Sequence, residues 1–159
     1  MHPAPDGANP ALYSILVYAH ILLALMAVGF NFTYVVWIMR GTRSPETLPF
    51  ALKGVKFLDD YLANPMYLAA GVTGVLMIAM GKEVKSWLWV AVGLYVVDML
   101  AAYLIYTPLL SRQIKTLADN GFTSSQYKTV AQRSNIVGAL LGVGALIIIA
   151  LKIFEPSFW

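Results

Sequence analysis

Two residues inside long apolar runs of this chain have the side chains best suited to chemistry. Asp98 lies near the middle of WLWVAVGLYVVDMLAAYLIYTPLL, residues 87–110, and His20 lies in YAHILLALMAVGFNFTYVVWIMRG, residues 18–41. A carboxylate at bilayer depth costs roughly 2.5–3.5 kcal/mol on insertion scales, so Asp98 is expected to face protein or water and not lipid. Its helical neighbours Ala91, Leu94, Tyr95, Ala101 and Ala102 are mostly small, as an inward face should be. His20, Ala24, Ala27 and Asn31 fall at i, i+4, i+7 and i+11, a second small and polar stripe. At about 1.5 Å per residue, His20 lies roughly 12 Å in from residue 12 and Asp98 roughly 16 Å in from Trp87, measured from the same face. The two are expected to meet across the bundle. Such a pair satisfies both groups in a low dielectric and orients the imidazole for a ligand. Tyr95 stands beside Asp98 on its helix, and Met77 and Met99 are thioethers within the spans.

Plainer roles stand beside these. Asp98 can join helices through hydrogen bonds to Tyr95 or a neighbouring hydroxyl, and His20 can be a packing residue. Asn31 reads as interhelical glue, and the methionines as adaptable core filler.

The elements that must position these residues are membrane spans. Of 159 residues, 59% are hydrophobic and only 12% charged, against about 25% charged in soluble domains. Four runs are long and apolar enough to cross a bilayer, at about 12–39, 61–80, 87–110 and 135–154. Once they are subtracted, no separate soluble domain of ordinary size remains. The expected fold is all-α, a single four-helix transmembrane bundle in the lipid bilayer of the cell membrane. Residues 1–10 have no basic start and no apolar core, so they are not read as a secretory signal. Asn9 and Pro10 suit the N-cap and first turn of the first span.

Eight of the eleven Lys and Arg residues fall in 40–60 (Arg40, Arg43, Lys53, Lys56) and 111–134 (Arg112, Lys115, Lys128, Arg133). The positive-inside rule makes these two segments cytoplasmic loops and puts both termini outside. The net charge of +3 is thereby explained by topology, with no nucleic-acid partner. Within the first loop, FALKGVKFLDDYL is an amphipathic piece that suits the interface. Asn120-Gly121 signals a turn, and Thr123 with Gln126 matches a capping box, so the last helix is expected to start before its span. Ser134, Gly138 and Gly142 repeat at four residues, which predicts a close helix approach along the fourth span. The short connection at 81–86 makes the second and third spans antiparallel neighbours. The absence of cysteine excludes disulfides, thiolate metal sites and covalent c-type haem attachment.

The first-span pattern of His20 followed by Gly29 and Phe30 resembles a bacterial family of predicted four-helix integral membrane proteins of unknown function. AAGVTGVLMIAMGK, YTPLLSRQIKTLADNG and IIIALKIFEP carry the likeness through the rest of the chain. The first span is also similar to the membrane protoporphyrinogen oxidase and copper-resistance D-type families. The resemblance to the oxidase implies haem b with His20 as an axial iron ligand. This chain has Met26-Ala27-Val28-Gly29 where many of those relatives have Trp and paired Gly. It has no second histidine in a span. The second axial position would therefore fall to Met77, Met99, water or a histidine of another subunit, with Asp98 or Tyr95 behind His20. Two other functions remain open: a small oligomeric transporter or channel that uses Asp98, and a structural subunit of a larger membrane complex. A homo-oligomer is expected in the first two cases.

Overall fold

The computed structural model describes residues 4–5 and 7–159. Within these residues every regular element is helical, and four helical rods are long and apolar enough to cross a membrane. The first, α1 (Pro10–Arg43), starts as its sequence predicts. Pro10 occupies the first helical position, and the Asn9 side chain accepts the Ala11 and Leu12 N–H groups at 3.0 and 3.3 Å.

The second rod joins α2 (Leu48–Leu58), a π-turn (Asp59–Ala63) and α3 (Asn64–Ala79). The third joins α4 (Ser86–Ala101), a π-turn (Ala102–Tyr106) and α5 (Thr107–Asn120). The fourth is α6 (Ser125–Phe154). The segments 40–60 and 111–134, expected to be loops, are therefore mostly helix. Only short turns around Pro45 and Gly121 interrupt them. Rods of 32 and 35 residues are about 48 and 52 Å long. A hydrocarbon core takes about 30 Å of that. The surplus gathers at the end holding Arg40, Lys53, Arg112 and Lys128, here the basic end. The termini and the 81–85 turn share the other end, where Pro5 approaches Gly81 and the Phe158 N–H bonds Ser86 Oγ at 3.0 Å.

Proline ordinarily ends a helix, because it lacks an N–H and its ring presses on the carbonyl four residues back. Each π-turn here comes directly before such a proline. The Asn64 N–H reaches back five residues to Asp59 O, next to Pro65, and the Thr107 N–H reaches Ala102 O, next to Pro108. The extra residue in the turn widens it, so that the rod runs on through the proline. Pro65 falls in the first turns of the second apolar run, 61–80, where proline is tolerated. It lies in the interior of a rod instead.

α2 buries Leu48, Ala51, Leu52 and Val55, at i, i+3, i+4 and i+7. It packs against α1 and α5 and does not lie apart in the interface. The crossing with α1 is tight: a Cβ on Gly41 would stand 2.9 Å from Ala51 Cβ. At the basic end these residues form one core with Tyr34, Tyr106 and Leu110. Towards the termini the rods separate into two pairs, α1 with α3 and α4 with α6. A small cluster of Trp87, Ala91 and Leu151 holds the second pair. α6 starts one residue later than the capping-box pattern suggests, with the Ser124 hydroxyl accepting the Tyr127 N–H at 3.2 Å.

Candidate functional site

The stripe on α1 packs as its spacing predicts. Ala27 is fully buried, and Asn31 donates to the Tyr67 hydroxyl of α3 at 2.7 Å, the interhelical bond expected of it. His20 meets α3 through one ring nitrogen. Nδ1 lies 2.8 Å from Ala70 O and 3.1 Å from Thr73 Oγ1. A carbonyl only accepts, so in the neutral ring Nδ1 carries the proton, and Nε2 keeps its lone pair. Thr73 fixes the same carbonyl by donating its own hydroxyl to Ala70 O at 2.8 Å. Gly74 flanks the ring, and a Cβ there would sit 3.4 Å from His20 Cε1, an ordinary contact distance.

The other predicted site residues are divided between the helix pairs. Met77 is buried on α3, on the stripe of Ala70, Thr73 and Gly74, and so shares the helix face that meets His20. Tyr95 crosses from α4 to α3. It donates to Tyr67 O at 3.1 Å, and its ring fills the space that a Cβ on Gly71 would need. Asp98 turns to α6, where its carboxylate lies against the Gly144 backbone. Its Oδ2 is buried and has no hydrogen-bond partner. Met99 follows Asp98 on α4, half-buried. Among the described residues no hydrogen bond or ion pair joins His20 to Asp98, Tyr95 or either methionine. The expected His20–Asp98 pair is not made, because each residue faces the partner helix of its own pair: His20 meets α3 and Asp98 meets α6. The helix approach on α6 also shifts register. Gly138 packs on the Tyr106 ring, but Gly142 faces open space and Gly144 takes the close contact.

A second polar site was not anticipated. Asp59, only 3% exposed, stands in the first π-turn. Its Oδ2 accepts from Thr107 Oγ1 at 2.8 Å and from Asn64 Nδ2 at 3.3 Å. Asn64 Nδ2 also lies 3.4 Å from Thr107 Oγ1, which closes a triangle between the second and third rods. Asn64 and Thr107 each follow a π-turn and stand immediately before the two prolines, so the residue that closes each turn presents its side chain to the same carboxylate. The hydroxyl of Tyr34, from α1, is buried nearby and unpartnered. Two signals pointed here: Asn-Pro and Thr-Pro inside otherwise continuous helical patterns, and an acid at the edge of an apolar run.

At the terminal end, Lys152 bonds Glu155 and holds its carboxyl below the usual carboxylate range, with Lys85 at 3.8 Å adding to the effect. Burial pulls the Lys82 ammonium down, and Lys152 nearby acts in the same direction. Among the described residues no group of three His, Asp or Glu side chains converges as a metal-binding set.

No curated protein and no solved structure matches the chain. A family model described as predicted integral membrane protein (DUF2269) matches residues 14–156. That match takes in all four rods, both polar sites and the basic end, so the chain belongs to this family of integral membrane proteins.

Proposed function

We propose that the protein is a haem-linked, redox-associated membrane protein in which His20 supplies one axial ligand to a b-type haem. The observation that carries this reading is the anchoring of Nδ1 on Ala70 O. A histidine held through one ring nitrogen presents the other with a fixed direction and an available lone pair, the arrangement found behind metal-binding imidazoles. The donor chemistry fits one ligand of haem iron. Met77 shares the helix face that meets His20, and water or His20 of a second copy are the other sources of the opposite ligand. Bound haem supplies one-electron redox chemistry. The protein's part is to hold the ring through Ala70 and Thr73 and to keep the surroundings apolar. The likeness of the first span to membrane protoporphyrinogen oxidases supports the same reading, with the basic end on the cytoplasmic side.

Absorption spectra of the detergent-purified protein, as isolated and after addition of haemin, test it. The protein should show a Soret band whose position and intensity change in His20→Ala, and Met77→Leu should alter the band if the thioether is the opposite ligand. Spectra of His20→Ala identical to those of the parent, or no haem retained by either, would remove the reading.

A second reading rests on the unpartnered Oδ2 of Asp98. An acid without a partner inside a span suits a small oligomeric transporter that carries protons or cations. pH-driven flux in liposomes that is lost in Asp98→Asn, in protein with no haem spectrum, favours this reading over the first.

A further inference from the structure

We propose that Asp59 is a proton-binding site, set where the two π-turns meet and exchanging its proton with the basic end. The inference goes beyond the His20 reading and stands independently of it.

The carboxylate is almost wholly enclosed, and its hydrogen-bond partners, Thr107 and Asn64, are both neutral. Lys56, the cation one turn earlier on the same rod, is engaged by Asp60. No ion pair is made to Asp59 among the described residues, and burial outweighs the field of Lys56, so neutralisation is the usual outcome for a charge so enclosed. A proton achieves this without needing space. A metal cation needs several oxygens spread around it, and the Asp59, Asn64 and Thr107 contacts at 2.8, 3.3 and 3.4 Å are already closed on one another.

The second observation is Tyr34. This side chain is 5% exposed, its hydroxyl has no partner, and it lies in the field of the Asp59 carboxylate. A hydroxyl serves either protonation state: it donates to a carboxylate and accepts from a carboxylic acid. One proton from water adds to the carboxylate oxygen left free by Thr107 and Asn64, and the charge there goes from minus one to zero. The proton comes from a hydronium ion, whose O–H bond breaks to leave water as the carboxyl O–H forms. The titratable groups around Asp59 are Tyr34 from α1, Lys56 from α2, its neighbour Asp60, Tyr67 from α3, and Tyr103 and Tyr106 from the second π-turn. None of the tyrosines brings positive charge. The Lys56–Asp60 pair is partly exposed and lies next to the site, on the side from which a proton arrives. π-turns inside α-helices often mark functional positions, and here two of them share one acid.

Infrared difference spectroscopy of the full-length protein in detergent, recorded across a pH series, tests the proposal. A carboxylic-acid C=O band should be present, should be lost in Asp59→Asn, and should persist in Asp98→Asn and His20→Ala. In Tyr34→Phe the band should move, because the unpartnered hydroxyl beside the site, available to accept from the protonated acid, is gone. This variant keeps the test available if Asp59→Asn does not fold. A band that survives Asp59→Asn, no protonated carboxyl at any accessible pH, or a band that stays in place in Tyr34→Phe would overturn the proposal. So would a band that responds to sodium at constant pH, which would make the ligand a metal cation.

Discussion

Asp59 and Asp98 are both acids within the apolar rods, and the protein treats them in opposite ways. Asp59 lies where three rods pack closely, and one of its oxygens accepts two hydrogen bonds, one from Thr107 of the third rod and one from Asn64 of its own. Asp98 lies where the bundle has separated into pairs, and one of its oxygens is buried against the Gly144 backbone with no donor. Depth in an apolar run is therefore a poor guide to what an acid does. The surroundings decide: Asp59 contributes to packing because its two donors would otherwise be stranded, whereas Asp98 adds a polar burden to a contact made by glycine. The same contrast holds for the tyrosines. Tyr95 uses its hydroxyl to tie α4 to α3, while the hydroxyl of Tyr34 is left without a partner.

The largest effect should come from breaking the well-partnered acid. Asp59→Ala leaves Thr107 and Asn64 without their acceptor in the tightest part of the bundle. It should cost about 3 kcal/mol of stability, near the upper end for stranded buried polar groups. Asp59→Asn, which keeps an acceptor oxygen, should lose much less. Unfolding in mixed detergent, followed by circular dichroism, measures both. Equal losses in Asp59→Ala and Asp98→Ala would erase the distinction between the two sites.

Much of this architecture is legible from residues alone. The four apolar runs, the Asn9 cap, the turn at Gly121 and the packing of His20, Ala27 and Asn31 on a neighbouring helix all follow from local rules, and local rules survive folding. The loss of the Asp59 site has one physical cause. A proline in a regular α-helix removes a bond and adds a clash, so Pro65 and Pro108 give no sign that both rods run straight through them. A single inserted residue relieves the clash, and nothing in the composition announces it. Asp59 was then read as the edge of a loop, with charged Lys56 and Asp60 beside it, and the Asp59 site went unseen. The His20–Asp98 pairing failed for a different reason. Equal depth says how far along a helix a residue lies but not which neighbour that helix faces. Here α1 faces α3, and α4 faces α6.

An intermediate effect is expected at the contact beneath Asp98. A methyl at position 144 would overlap the Asp98 carboxylate, so Gly144→Ala should destabilise by about 1–2 kcal/mol, the range for overpacking. Gly142 has open space around it. Gly142→Ala should therefore be neutral or gain up to about 1 kcal/mol from helix propensity. The cycle with Asp98→Ala sharpens the point. Once the carboxylate is gone, Gly144→Ala should become nearly harmless, so the two changes should couple by most of the single-mutant cost. Additive effects would mean that the glycine serves some other contact.

The smallest effect on stability, and the most telling, is expected for Asp98 itself. Its buried oxygen has no donor to lose, so removing the carboxylate strands nothing. Replacing an unpartnered buried polar group by an apolar one is often neutral or favourable, because the desolvation cost goes with it. Asp98→Ala also leaves a small void beside Gly144, which works against that gain. The two terms oppose, and the net change should lie within about 0.5 kcal/mol of zero, the range of a substitution without a lost partner. Stability and activity then separate. If Asp98 is retained for transport, Asp98→Ala should unfold like the parent yet lose pH-driven flux in liposomes. If it is retained only to join helices, the variant should lose stability by as much as Asp59→Ala does. A loss that large would show that Oδ2 finds a partner in the membrane, and the contrast between the two acids would collapse.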